Sequence, residues 1–268
     1  MPSTVIDEPS HPRVRAARRC HSSTGRAKTG RFLAEGVQAV REALATPGVV
    51  VEVFATPDWL ASPAALPTGD LPVHSVSDAV LARVAETTTP QGVVAVCRDV
   101  TVEIDALLAQ APRLVVVLAE VRDPGNAGTI IRTADAAGAD GVVLTTSSVD
   151  PLGGKCVRSS AGSLFHLPVV VGQPVQVLDH LRDAGLSVLA TDGHGPLDLV
   201  DAARAGILAS PTAWVVGNEA HGVPPSYLAR ADHAVRVPMY GQAESLNVSV
   251  AAALCLYASA TAAHRTPH

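Results

Sequence analysis

Aliphatic runs alternate with helix-like patterns along the second half of the chain. The runs lie at residues 114–118, 141–144, 167–171, 187–191, 213–216 and 234–237. Between and after them, apolar residues recur at helical spacing over residues 127–137, 175–184 and 246–262. Apolar strands separated by helices predict a parallel sheet with helices packed on both of its faces.

The first half of the chain has a different pattern of apolar residues. Apolar residues repeat at helical spacing from Leu33 through Val37 and Val40 to Leu44, which predicts a helix over residues 32–45. Strands are predicted at 49–55 and 92–97, with a proline-rich crossing between them. We therefore expect an α/β protein with two domains, a smaller one over residues 1–105 and the parallel-sheet domain over residues 106–268.

The charge is unevenly distributed along the chain. The formal net charge of −5 disfavours a nucleic-acid partner when it is taken alone, and aromatic residues that could stack on bases make up only 3%. Residues 9–34 contain no acid, however, and their basic residues are Arg13, Arg15, Arg18, Arg19, Arg26, Lys28 and Arg31. This basic stretch is typical of a segment that follows phosphates through counterion release. The alternative is a solubilising, frayed terminus.

The cysteines predict neither a zinc site nor a disulfide framework. Cys20, Cys97, Cys156 and Cys255 are far apart and form no C-x-x-C pair, so reduced thiols are expected. The basic N-terminal residues have no apolar segment behind them, and no apolar run approaches the ~18 residues of a membrane span. We therefore expect a cytoplasmic protein without a metal centre.

Parallel sheets bind ligands in the loops that follow the carboxyl ends of their strands. The loop after residue 118 reads Glu120-Val-Arg-Asp-Pro-Gly-Asn-Ala-Gly-Thr. Asn126 is expected to cap the next helix, and Arg132 follows six residues later. The glycines lack the G-x-G-x-x-G register, which disfavours a dinucleotide-binding protein.

Two further loops carry polar residues. The loop after residue 216 reads Gly217-Asn-Glu-Ala-His-Gly, and its glycines allow a ligand to approach the backbone closely. The loop after residue 237 reads Pro238-Met-Tyr-Gly-Gln-Ala-Glu-Ser-Leu-Asn-Val-Ser-Val. Ser245 is expected to cap the final helix, with Asn247 in its first turn.

Together these loops resemble the three signature motifs of the SpoU (TrmH-like) RNA methyltransferases, in the same order and at the usual separations. The segment from Asp150 to Val169 is similar to the family's region between the first two motifs. In the first half, Arg31-Phe-Leu-Ala-Glu-Gly and Thr89-Pro-Gln-Gly-Val-Val-Ala resemble the family's small N-terminal substrate-binding domain. Each motif is weak alone, but the set is specific and covers nearly the whole chain.

The resemblance implies a C-terminal methyltransferase domain with a trefoil (SPOUT-type) knot, preceded by a small RNA-binding domain. It implies S-adenosylmethionine as the cofactor, bound at Gly217, Val237 and Leu246 largely through backbone groups. The alternative is that Val237 and Leu246 are ordinary core residues. The residues that match the methyl-transfer centre are Arg132, Asn126, Ser245, Asn247 and Glu219. The predicted RNA contacts in the basic stretch are Arg13, Arg18 and Arg31.

Arg132 matches the family's catalytic arginine. Because the pKa of an arginine exceeds about 12, we interpret its role as holding a substrate phosphate or ribose and stabilising the developing alkoxide. Deprotonation of the hydroxyl by Arg132 is the alternative. For Glu219 we expect a loop-organising role, with direct substrate contact as the alternative.

The final helix is apolar on nearly every side, which predicts burial on more than one side. The resemblance implies a homodimer through the knotted domain; a sheet-covering helix in a monomer is the alternative. The separate N-terminal domain favours ribosomal RNA as substrate, and resistance to a ribosome-directed antibiotic would be one consequence. The alternatives are a transfer-RNA ribose methyltransferase and a non-catalytic RNA-binding or ribosome-assembly factor.

Overall fold

The computed structural model describes residues 5–218 and 220–265. Contacts between residues divide the chain into two units. The first unit comprises the residues up to Val100 together with Asp150–Phe165, and the second comprises Thr101–Val149 and the residues from His166 onward. The chain therefore passes between the units at three points.

The first unit is built around a four-stranded mixed sheet. Its strands are β1 (Arg31–Glu35), β2 (Val50–Ala55), β3 (Val73–Ser75) and β4 (Val93–Arg98), in the order β1-β4-β2-β3. β4 runs antiparallel to β1 and β2, whereas β2 and β3 are parallel. Its helices, numbered in chain order, are α1 (Pro12–Arg18), α2 (Ser23–Thr29), α3 (Val37–Ala45), α4 (Pro57–Ala61), α5 (Asp78–Val84) and α8 (Gly154–Ser160).

The predicted helix over residues 32–45 is wrong in its first part. Phe32–Glu35 belongs to β1 and pairs with β4, and only Val37–Ala45 is helical. Gly36 separates the two elements with a φ of 85°, a conformation that glycine adopts without steric cost. The strands predicted at 49–55 and 92–97 are confirmed within one residue at each end.

The basic stretch is folded rather than frayed. Its helix α1 packs Val14 and Ala17 into the core of the first unit, together with Cys20. The helix α2 ends at Gly30, whose φ of 60° closes the helix in the left-handed conformation. The basic side chains are therefore carried on ordered backbone.

The second unit is built around an eight-stranded sheet in which every pairing is parallel, as predicted. The strands are β5 (Thr101–Val102), β6 (Leu114–Leu118), β7 (Gly141–Thr145), β8 (Val169–Gly172), β9 (Ser187–Thr191), β10 (Leu197–Asp198), β11 (Thr212–Val216) and β12 (His233–Arg236). Their order is β10-β12-β9-β11-β6-β7-β8-β5. The helices are α6 (Ile104–Leu108), α7 (Pro124–Ala136), α9 (Gln176–Asp183), α10 (Leu199–Arg204), α11 (Pro225–Leu228) and α12 (Val248–Arg265).

The central strands of this sheet are fully buried, because β6, β7 and β11 are aliphatic on both faces. Trp214 on β11 is buried, and its indole N–H donates to the Ser259 hydroxyl of α12 at 2.9 Å. The same helix buries Ala252, Cys255 and Leu256. Its other side is exposed within this chain, so the expected burial on more than one side is not met by the single chain.

No helix in the described part of the chain is long and apolar enough to cross a membrane. Within the same ranges, no group of three histidine, cysteine or acidic side chains is placed to hold a metal ion.

Candidate active site

The three loops identified in the sequence follow β6, β11 and β12, which lie in a block of four adjacent strands with β9. Since these strands are parallel, their carboxyl ends meet at one edge of the sheet. A cavity of about 370 Å³ lies at this edge, within the range of typical small-ligand sites, about 300–1,000 Å³. The predicted residues that line it are Gly217, Val237, Ser245, Leu246 and Asn247.

The loop after β11 is a tight backbone turn. Asn218 and Gly222 exchange both backbone hydrogen bonds, at 2.8 and 2.9 Å. A Cβ atom on Gly217 would lie 2.1 Å from the carbonyl carbon of Gly222, so no side chain fits at position 217. This loop therefore presents backbone groups to the cavity.

Asn218 joins the loop after β11 to the loop after β6. Its side-chain amide donates to the Glu120 carbonyl at 3.0 Å, and its side-chain oxygen accepts from the Ala220 amide. Glu120 has a φ of 59°, which is costly for a residue with a Cβ. The Asn218 hydrogen bond thus holds a strained residue at the point where the chain leaves β6 towards Asn126.

Asn126 does not cap α7, and that prediction is wrong. The helix begins at Pro124, and the Asp123 carboxylate caps it by accepting the Asn126 backbone N–H at 2.8 Å. Proline is favoured at the first helical position, which moves the start of the helix towards Asp123. The side-chain oxygen of Asn126 instead accepts from the Asn247 side-chain amide at 3.0 Å.

Asn247 takes the capping role predicted for Ser245. It immediately precedes α12, and its side-chain oxygen accepts from the backbone N–H and the hydroxyl of Ser249, at 2.9 and 2.5 Å. Ser245 is exposed and lines the cavity. One asparagine therefore starts α12, holds Asn126 of α7, and borders the cavity.

Arg132 lies on the exposed side of α7, whose opposite side buries Ile130, Ile131 and Ala134. No partner within hydrogen-bond or ion-pair distance of its guanidinium is found among the residues that the structure describes. Arg132 does not line the cavity itself. Glu219 lies outside the described residues.

Cys255 is the cysteine nearest in sequence to this site, and its thiol is unreactive at neutral pH. Burial raises the pKa of Cys255, on α12, to about 12. Since the thiolate is the nucleophilic form of cysteine, this side chain packs as an apolar group at neutral pH.

Comparisons with known proteins agree over both halves of the chain. Residues 113–257 match the SpoU rRNA Methylase family, and residues 11–95 match the MRM3-like substrate binding domain. The chain is 39% identical over 254 residues to the 23S rRNA (guanosine(2553)-2'-O)-methyltransferase RlmP of Bacillus subtilis, covering 94% of this chain and 97% of the relative. The chain belongs to the SpoU methylase family.

Solved structures of SpoU family proteins have the same fold. The SpoU methyltransferase AviRb from Streptomyces viridochromogenes, in complex with the cofactor AdoMet, is 30% identical with a TM-score of 0.83. That match covers 94% of this chain and 97% of AviRb. The AdoMet-bound rRNA methyltransferase from Sinorhizobium meliloti is 28% identical with a TM-score of 0.82, covering 99% of each chain.

The predicted RNA contacts of this SpoU chain are all in the first unit. Arg18 is exposed and Arg31 is half-buried on β1. Arg13 forms an ion pair with Glu52 at 3.0 Å, although its side chain stays about half exposed. Arg26, the buried member of the basic stretch, forms an ion pair with Asp150 and donates to two backbone carbonyls.

Sequence reasoning missed one wall of the cavity. The end of β9 contributes Thr191, and the loop after it contributes Asp192 and Gly193. The signal was present, because residues 187–191 were predicted as a strand and the Asp-Gly that follows is a typical loop pair. This loop carries no family motif, which distinguishes it from the other three.

Proposed function

We propose that this SpoU family protein uses S-adenosylmethionine to methylate a ribose 2′-hydroxyl in ribosomal RNA. The observation that carries the proposal is the cavity at the carboxyl edge, where the second and third motifs meet and the Asn126–Asn247 hydrogen bond joins the first. The near full-length similarity to a 23S rRNA 2′-O-methyltransferase supports ribosomal RNA as the substrate. Action on ribosomal RNA in turn supports a cytoplasmic location.

The cavity suits a cofactor that combines an aromatic base with a polar tail. Val235, Val237, Leu246 and Ala251 supply an apolar wall, while the Gly217 loop brings backbone groups close. We assign the cofactor contacts to Gly217, Val237 and Leu246, as expected from the sequence. When bound, S-adenosylmethionine supplies an electrophilic methyl group, so the protein has only to position the hydroxyl and manage its proton.

Arg132 is assigned to the substrate. It is exposed and unpaired within the described part of the chain, which leaves its fork available to hold a phosphate or ribose oxygen and to stabilise negative charge on the attacking hydroxyl. Asn126 and Asn247 fix the start of α7 relative to the cavity, and Ser245 offers a hydroxyl at its rim. Glu219 keeps its proposed loop-organising role.

We further propose that two copies associate through α12. Val250, Leu254 and Tyr257 recur at helical spacing and form one apolar stripe, with 47%, 44% and 51% exposure. This stripe lies opposite the side of α12 that packs on the sheet. The same apolar helix of a second copy would bury it. Sedimentation should give a species of twice the 27.5 kDa chain mass, and Leu254→Glu should give a monomer. A monomeric wild-type protein at micromolar concentration would contradict the assignment.

The trefoil knot and the domain roles complete the proposal. The eight-stranded unit and the family match support a knotted methyltransferase domain over residues 106–268. The match of residues 11–95 to a substrate binding domain supports RNA binding by residues 1–105.

The experiment is methyl transfer from labelled S-adenosylmethionine to separate samples of 23S ribosomal RNA, 16S ribosomal RNA and transfer RNA. After digestion, mass spectrometry should find one 2′-O-methylated nucleoside from ribosomal RNA. Label in a base or only in transfer RNA would refute the proposed substrate. No transfer, together with no calorimetric binding of the cofactor, would refute the enzyme assignment.

A further inference from the structure

The first unit contains a second cavity, of about 240 Å³, whose walls carry positive charge. It is bordered by helix α1, strand β1 and the segment that joins α1 to α2. Arg19 and Arg31 line it, with Glu52 as the acidic residue among its lining groups. Its volume is sufficient for a phosphate group with part of its ribose.

The charges around this cavity are not balanced by carboxylates. The Glu52 carboxylate is already engaged, at 3.0 Å from Arg13 and at 2.9 Å from the ring nitrogen of His74. Within the described ranges, no carboxylate lies within 4 Å of the Arg19 or Arg31 guanidinium. The site therefore keeps an excess of positive charge.

Arg98 adds to this excess. The register of the antiparallel pair β1–β4 places Arg98 directly opposite Arg31, so both side chains leave the same face of the sheet. Like charges at directly opposite positions destabilise a sheet, and Arg98 also lacks an acidic partner among the described residues. An anion between or beside the two side chains would offset this repulsion.

We propose that Arg19, Arg31 and Arg98 form a phosphate-binding site for the backbone of the substrate RNA. Guanidinium groups bind phosphate through two parallel hydrogen bonds, and a bound phosphate screens the repulsion between Arg31 and Arg98. Arg13 does not share this role, because Glu52 holds it. The site rests on the proposed function for the identity of the anion, and it adds Arg19 and Arg98 to the RNA-binding residues.

The test measures binding of a full-length 23S ribosomal RNA transcript to the whole protein over a range of KCl concentrations. Arg19→Gln, Arg31→Gln and Arg98→Gln are compared with Arg41→Gln, an exposed arginine on α3 of the same unit. Each of the first three variants should weaken binding by about tenfold and reduce the salt slope by about 0.7–0.9, as expected for one lost phosphate contact. Arg41→Gln should leave the slope near that of the wild type.

Stability separates a binding role from a structural one. Because Arg31→Gln and Arg98→Gln remove a like-charge pair, their thermal midpoints should stay equal to or rise above that of the wild type. Lower midpoints with unchanged salt slopes would show that the arginines are structural and would overturn the proposal, as would wild-type affinity and slope in all three variants. Wild-type methyl transfer with unchanged RNA binding in the variants refutes this site alone, whereas no transfer by the wild type refutes the proposed function.

Discussion

The interiors of the two units differ in kind. In its described part, the first unit buries three charged side chains, Arg26, Glu35 and Glu52. In the described part of the second unit, the buried polar side chains are the neutral ones of Thr145, Thr212, Ser249 and Ser259. Each buried charge in the first unit has dedicated partners: Glu35, for example, accepts from the Glu86 and Thr87 amides and from Arg158.

This difference predicts which kind of substitution destabilises each unit. Removing one partner of a buried charge leaves the other uncompensated, so the first unit should be sensitive to changes of charge. The second unit has an aliphatic core and should be sensitive to lost volume. The polar residues of its candidate site lie at the carboxyl edge, outside the aliphatic core.

The largest effect is expected from Trp214→Ala in the second unit. The substitution empties a buried site and should lower the free energy of unfolding by about 3–5 kcal/mol. Trp214→Phe keeps most of the volume and loses the hydrogen bond to Ser259, which should cost about 1 kcal/mol. Urea unfolding measures both. A loss equal in the two variants would mean that the hydrogen bond, not the volume, dominates this core.

Arg26→Ala is the matching change in the first unit. Arg26 contacts the Asp150 carboxylate and the carbonyls of Cys20 and His21. Its loss should lower the free energy of unfolding by about 3 kcal/mol. This is the low end for a broken buried ion pair, because Asp150 is a third exposed and regains some water. Arg26→Lys should recover part of this. If exposed Arg41→Ala cost as much, buried charge would not be what distinguishes the first unit.

Arg132→Ala should separate chemistry from stability. Methyl transfer should fall by on the order of 10²-fold or more, as for the loss of one charge-stabilising group. Unfolding and cofactor binding should change little, because Arg132 is exposed and does not line the cavity. Arg132→Lys should restore activity only in part, since a point charge does not reproduce the planar fork. Full turnover by Arg132→Ala at saturating RNA would remove Arg132 from the catalytic centre.

The smallest effect concerns Glu86 in the first unit. The pKa of Glu86 is raised above the ordinary value of 4.5. The larger cause is partial burial of the carboxyl group, and the second is the nearby charge of Glu35. A raised folded-state pKa means that its contribution to stability is present below pH 4.5 and is lost as the pH rises through the folded value. Glu86→Gln should therefore raise the thermal midpoint slightly at pH 7 and not at pH 4. An equal change at both pH values would exclude titration as the cause.

Much of this architecture could be predicted because the relevant signals are local. The runs at 114–118 and 187–191 are aliphatic, and they form strands with those bounds. The helix predicted through residues 32–45 was wrong because Phe32–Glu35 is apolar enough for either structure, and only pairing with β4 decides in favour of a strand.

The site was predictable as a set of loops but not as a geometry. Asn126 and Asn247 are 121 residues apart, so their hydrogen bond depends on the order of strands that the sequence does not display. The shift of the cap from Asn126 to Asp123 follows from Pro124 at the first helical position. The Arg31–Arg98 pair likewise depends on strand register.

Asp150–Phe165 belongs to the first unit although the surrounding sequence, residues 113–257, matches the methylase family. Recombination at a single junction near residue 100 would therefore transplant an incomplete module. Arg26 would lose Asp150, and Glu35 would lose Arg158, across separations of 124 and 123 residues. Chimeras that exchange substrate recognition between relatives should need two grafts, and the residue pairs 26/150 and 35/158 should be inherited together.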